Sequence, residues 1–117
     1  MIVNILGTKY TITFKDYDKD KEFYENNLSG YQTYHDKKIV ICNLKTHPDL
    51  DNPTEATCKY YEKQILRHEI IHAFFCESGL NNNSVHYDGP WSNNEEMVDW
   101  FALNGPKIMQ AWKHYLS

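Results

Sequence analysis

Five consecutive residues, His68-Glu69-Ile70-Ile71-His72, hold the residue types best suited to do chemistry in this chain. A helix turns about 100° and rises about 1.5 Å per residue, so positions four apart share a face roughly 6 Å apart. His68 and His72 would then project together as two imidazoles spaced for one zinc ion. Glu69, one residue round the helix, would reach a water held by that ion. The competing reading is a core helix that carries these three residues by coincidence.

A catalytic zinc takes three protein ligands and leaves a fourth position open. One known continuation of the motif, H-x-x-G-x-x-H, is excluded because Phe75 and Ser78 stand at its Gly and His positions. The other solution is a glutamate on a later helix packed against the first. Asn94-Glu95-Glu96-Met97-Val98-Asp99 fits it. Glu95 and Asp99 lie four apart on one helical face, so Glu95 can bind metal while Asp99 takes an N–H from a ligand histidine and sets its tautomer. Glu96 is the alternative ligand if the register slips; the face shared with Asp99 favours Glu95. Taken singly, Glu95 is a capping acid at a helix start and Asp99 a solvated charge.

The segments Arg67-His68-Glu69-Ile70-Ile71-His72-Ala73 and Asn94 to Ala102 together resemble the small gluzincin metallopeptidases. They are similar in particular to the ImmA/IrrE-like and phage-associated minimal forms. In those, Ala, Asn, Phe and Ala follow the ligand glutamate at three, four, six and seven residues. Here Val98, Asp99, Phe101 and Ala102 do, and Asp99 resembles instead the Glu-x-x-x-Asp pair of larger gluzincins. The resemblance covers mainly residues 67–106. It implies a zincin-like fold, His68, His72 and Glu95 as zinc ligands, Glu69 as general base, and hydrolysis of a peptide or protein substrate. It further implies that one strand of a 31–43 hairpin pairs with the extended substrate over the motif helix. A vestigial zincin that only binds a protein partner is the second reading; the intact Glu69 argues against it. His86 and Tyr87 are candidates to stabilise the developing oxyanion or bind substrate, with Tyr31, Tyr34 and His35 as others.

The elements that must position these residues can be traced along the chain. Runs 2–6 and 10–14 flank Gly7-Thr8 and predict a first hairpin, with Tyr10, Ile12 and Phe14 on one face. Residues 16–30 predict a loop or short helix. Tyr31 to His35 and Ile39 to Asn43 predict a second hairpin turning at Asp36-Lys37-Lys38; the almost wholly apolar second strand is expected to be central or covered on both faces. Asn52-Pro53-Thr54-Glu55 predicts the start of the motif helix, with Asn52 as its cap. That helix should be buried around much of its circumference, leave Lys59, Lys63 and Arg67 to solvent, and stop at Ser78-Gly79. A last helix, capped by Ser92, should break near Gly105-Pro106 and resume. The fold class is α+β: a small, largely antiparallel sheet of two hairpins packed on a buried motif helix and a C-terminal ligand helix.

Composition limits the remainder. At 117 residues the chain is expected to form a single domain over 1–117. Its net charge of −4 and lack of a basic run exclude the electrostatic footprint of a nucleic-acid binder. No stretch has the length of a membrane span, no secretory signal is visible at residues 1–14, and nothing specifies an oligomeric state. Cys42, Cys58 and Cys76 form no C-x-x-C pair, so reduced thiols in a cytoplasmic setting are expected. Cys76 is expected to be a buried helix-end thiol. His35, His47 and His114 should be surface residues, and Trp91, Trp100 and Trp112 core or cleft walls.

Overall fold

The computed structural model describes residues 1–80 and 93–116, with side chains as far as residue 113. Strands β1 (Ile2–Ile5), β2 (Thr8–Lys15), β3 (Gly30–Thr33) and β4 (Lys38–Cys42) form one sheet in the order β1-β2-β4-β3. Helix α1 (Lys21–Asn26) lies in the crossover between β2 and β3. Helices α2 (Glu55–Glu77) and α3 (Glu95–Leu116) follow the sheet. No helix among the described residues is long and apolar enough to cross a membrane.

Both hairpins form. Leu6 and Gly7 turn the first with positive φ, as a two-residue connection requires, and Asn4 Oδ1 accepts from the Gly7 N–H at 2.7 Å. The hairpins join through a parallel pairing, Thr11 opposite Lys38 to Lys15 opposite Cys42, so the sheet is mixed. The crossover through α1 makes this possible, because parallel neighbours need a long connection. Central β4 is covered on both faces. Ile39 and Ile41 pack toward α2 with Ile5, Tyr10, Ile12 and Ala73, while Val40 and Cys42 pack with Phe23, Leu44 and Cys58. Burial pushes the Cys42 thiol up to about 11, so it is an inert core group. Phe14, expected inside, is 47% exposed.

Several local expectations are corrected. Thr54 caps α2, its hydroxyl accepting from the Thr57 N–H at 3.1 Å, and Asn52 instead takes a left-handed turn before it. Only part of α2 is buried: Cys58, Glu69, His72, Ala73 and Cys76 face inward, whereas Tyr60, Tyr61 and Phe74 are exposed. The stop at Ser78-Gly79 forms, with Gly79 at φ +101°. Asn94 caps α3, its side chain accepting from the Met97 N–H at 3.0 Å; Ser92 lies outside the described residues. The last helix runs through Gly105 and Pro106 as one element. His47 is buried, its Nδ1 accepting from the Asp49 N–H and its ring edge-on to Tyr17. Trp100 and Trp112 are exposed, while Trp91 and the His114 side chain lie outside the described residues.

β3 meets α2 at Gly30. A Cβ there would come within 2.6 Å of Ile65 Cγ2 and 3.3 Å of Ile41 Cδ1, so the absent side chain lets the strand lie directly on the motif helix. At the other end of α2, Glu77 ties the helix to both hairpins. It accepts from Lys37 Nζ at 2.7 Å and from the Tyr10 hydroxyl at 3.1 Å. The Lys37 contact, followed by that of Tyr10, holds the Glu77 carboxyl below its ordinary 4.5. A carboxyl lowered on folding stabilises above its unfolded value and loses that contribution as pH falls through the folded one. Glu77→Gln is therefore expected to cost roughly 1 kcal/mol at pH 7. In urea titrations the gap to wild type should close in acid below the ordinary carboxyl range; a gap independent of pH would assign the loss to packing.

Candidate metal centre

The centre is built where α3 crosses α2. Val98 and Ala102 of α3 are buried against the rest of the protein, and Phe101 packs edge-on to Phe75 at 6.1 Å between ring centroids. This contact directs the first turn of α3 at the motif face of α2. Glu95 thereby reaches both histidines, with Oε2 3.1 Å from His68 Nε2 and Oε1 3.1 Å from His72 Nε2. The two Nε2 atoms are themselves 3.1 Å apart. Glu96 lies elsewhere, beside Asn94, Met97 and Trp100.

Asp99, one turn further along α3, accepts from His68 Nδ1 at 2.7 Å. A carboxylate can only accept, so the His68 proton sits on Nδ1 and its Nε2 turns a lone pair into the cluster. The Glu95 oxygens are also electron-pair donors. A cluster of this kind can be satisfied by a proton shared with His72 Nε2 or by a cation among the three groups. Two atoms each about 2.0 Å from a tetrahedral zinc lie about 3.3 Å apart, close to the spacing here. The donor set of two imidazoles and one carboxylate, with a neighbour fixing the tautomer, fits zinc.

Glu69 also stands within reach of the pair: one ligand atom from each of His68, Glu69 and His72 fits within 4.8 Å. Its oxygen is 3.8 Å from His68 Nε2, against 3.1 Å for Glu95, so Glu95 is better placed to complete the donor set. The Glu69 side chain is only 9% exposed. Burial pushes its carboxyl up to about 7; a charged His68 opposes the shift, and the charges of Glu95 and Asp99 add to it. A divalent ion at the cluster would draw it back down.

Two hollows of about 320 and 380 Å³ flank the cluster and share Gly30, His68 and Glu69. The first runs toward Tyr61, Gln64 and Ile65, the second toward Tyr31, Gln32 and Asn93. Among the other candidates, Tyr31 spends its hydroxyl on Asp20 at 2.8 Å, Tyr34 lies under Lys37 Nζ at 3.7 Å from the ring centre, and His35 is exposed. His86 and Tyr87 lie outside the described residues. Cys76 is buried and contacts the Gln32 amide at 3.8 Å.

Sequence reasoning missed Arg67. Expected in solvent, it is half-buried and donates from Nε to the Ala102 carbonyl at 3.2 Å. The signal was present in Pro106, four residues after Ala102, which has no N–H to give that carbonyl.

No family model matches the chain, and neither a curated protein nor a solved structure matches it. The case for the site therefore rests on its own geometry. Replacing Asp99 by Asn removes the charge that strengthens its hold on His68 Nδ1–H, and the amide can also present an N–H that favours the other tautomer. Zinc affinity, read by competition with a chromophoric chelator, is expected to fall about 10–100-fold. Thermal unfolding of the metal-free protein should hardly move, since the Asp99 side chain is 71% exposed. Undiminished affinity would make Asp99 an ordinary surface charge.

Proposed function

We propose that this chain is a zinc-dependent peptidase of the gluzincin type, with a zincin-like arrangement of sheet edge, motif helix and ligand helix. The observation that carries this reading is the convergence of His68, His72 and Glu95 at 3.1 Å beside the buried carboxyl of Glu69. Zinc, when bound, supplies polarisation of the scissile carbonyl and a lowered pKa for the attacking water. His68, His72 and Glu95 hold the ion, and Asp99 keeps His68 in the tautomer that binds. Glu69 takes the proton of the attacking water and returns it to the leaving amine. Its burial keeps competing water away from both transfers.

The substrate is read as an extended peptide. β3 is the outermost strand, paired with β4 on one side and with no strand of the described residues on the other. Its residues Gly30 to Gln32 border the cluster, so a peptide added to this edge would carry a backbone carbonyl across the histidines. The flanking hollows would accept side chains on either side of that bond. A substrate peptide needs no membrane or nucleic acid, which accords with the acidic balance of the chain.

Glu69→Gln separates metal binding from chemistry. The variant is expected to retain one zinc per chain while cleavage of a peptide library falls by about 10²–10⁴-fold, the usual worth of a general base. Equal cleavage by variant and wild type would move the activity to another site.

A further inference from the structure

We infer that Arg67 is a positioning residue for the metal centre. It holds α3 in the register that carries Glu95 and Asp99 to the histidines, through the carbonyl that Pro106 leaves without its helical donor. This rests on the zinc reading of the site. In an α-helix the N–H of residue 106 would bond to the carbonyl of residue 102. Proline has no N–H, and its ring pushes that carbonyl outward. Ala102 is 2% exposed, so water is a poor substitute donor for its carbonyl. The Arg67 Nε–H, 3.2 Å away on the facing helix, is the donor.

The position of this bond gives it a consequence for the centre. Arg67 directly precedes His68, and Ala102 lies three residues beyond Asp99. Polar contacts between the helices thus fall at Glu95, Asp99 and Ala102, spaced four and three apart along one face of α3. Both of the first two are made by the groups that would hold or orient the metal. Arginine stays charged at any working pH, so the third persists in the metal-free protein. The apolar contacts beside it, buried Val98 and Ala102 and the edge-on pair Phe75–Phe101, bring the helices together without selecting one backbone carbonyl. A directional bond to one carbonyl supplies the missing constraint, and an N–H at residue 106 would remove the need for it.

The test is a double-mutant cycle on zinc affinity of the folded protein, measured by chelator competition and by the visible spectrum of the cobalt(II)-substituted form. Arg67→Met is expected to weaken zinc binding about tenfold or more and to alter the cobalt spectrum as Glu95 leaves the donor set. With Pro106→Ala already present the same change should cost at most about twofold, the carbonyl now being filled within its own helix. If the methionine variant fails to fold, Arg67→Lys keeps charge and stem without the planar Nε–H, and should fold and bind zinc more weakly than wild type. Wild-type affinity in a folded Arg67 variant, or an equal loss in both Pro106 backgrounds, would overturn the positioning role alone. Wild type that takes up no zinc would overturn the reading of the site and this inference with it.

Discussion

Two imidazole nitrogens and a carboxylate are held at 3.1 Å from one another, and the rest of the structure is arranged around that crowding. At this distance they gain little from each other unless a cation or a proton lies among them. Two come from adjacent turns of α2 and the third from the first turn of α3. The site therefore exists only where these helices cross at the right register. The surrounding contacts serve that crossing: Val98 and Ala102 buried beneath, Phe75 against Phe101 at the side, and Asp99 fixing the ring of His68.

The sheet contributes support and an edge. Its central strand, apolar on both faces, gives α2 a fixed base, and Gly30 lets β3 lie close enough to the helix to border the cluster. An unpaired strand edge is ordinarily an aggregation hazard. Here it borders the histidines, with hollows on both sides of them, and would seat the extended peptide proposed as substrate.

The motif helix, its stop at Ser78-Gly79, the two hairpins and the central position of β4 were legible because each depends on short-range periodicity or turn chemistry. The meeting of Glu95 and Asp99 with the histidines was also legible, since four-residue spacing fixes a helical face whatever the loop between. What escaped depends on tertiary contacts. The parallel pairing of β2 with β4 brings together strands more than twenty residues apart in sequence, and nothing local specifies their direction. Burial of His47 follows from Tyr17 closing over it, not from its neighbours in sequence. Pro106 ordinarily ends or kinks a helix; here Arg67 fills the freed carbonyl and the helix continues. At helix starts, Asn52 and Thr54 are both good caps, and the hydroxyl that reaches Thr57 decides between them.

In the function proposed, two histidines of one helix and one glutamate of the next hold a zinc whose fourth position stays open. Metal analysis with X-ray absorption spectroscopy, on protein purified without chelator, tests it most directly. One zinc per chain is expected, with two imidazoles and a carboxylate in a nitrogen–oxygen shell at about 2.0–2.1 Å. Protein without stoichiometric zinc, or a shell containing sulfur at about 2.3 Å, would contradict it.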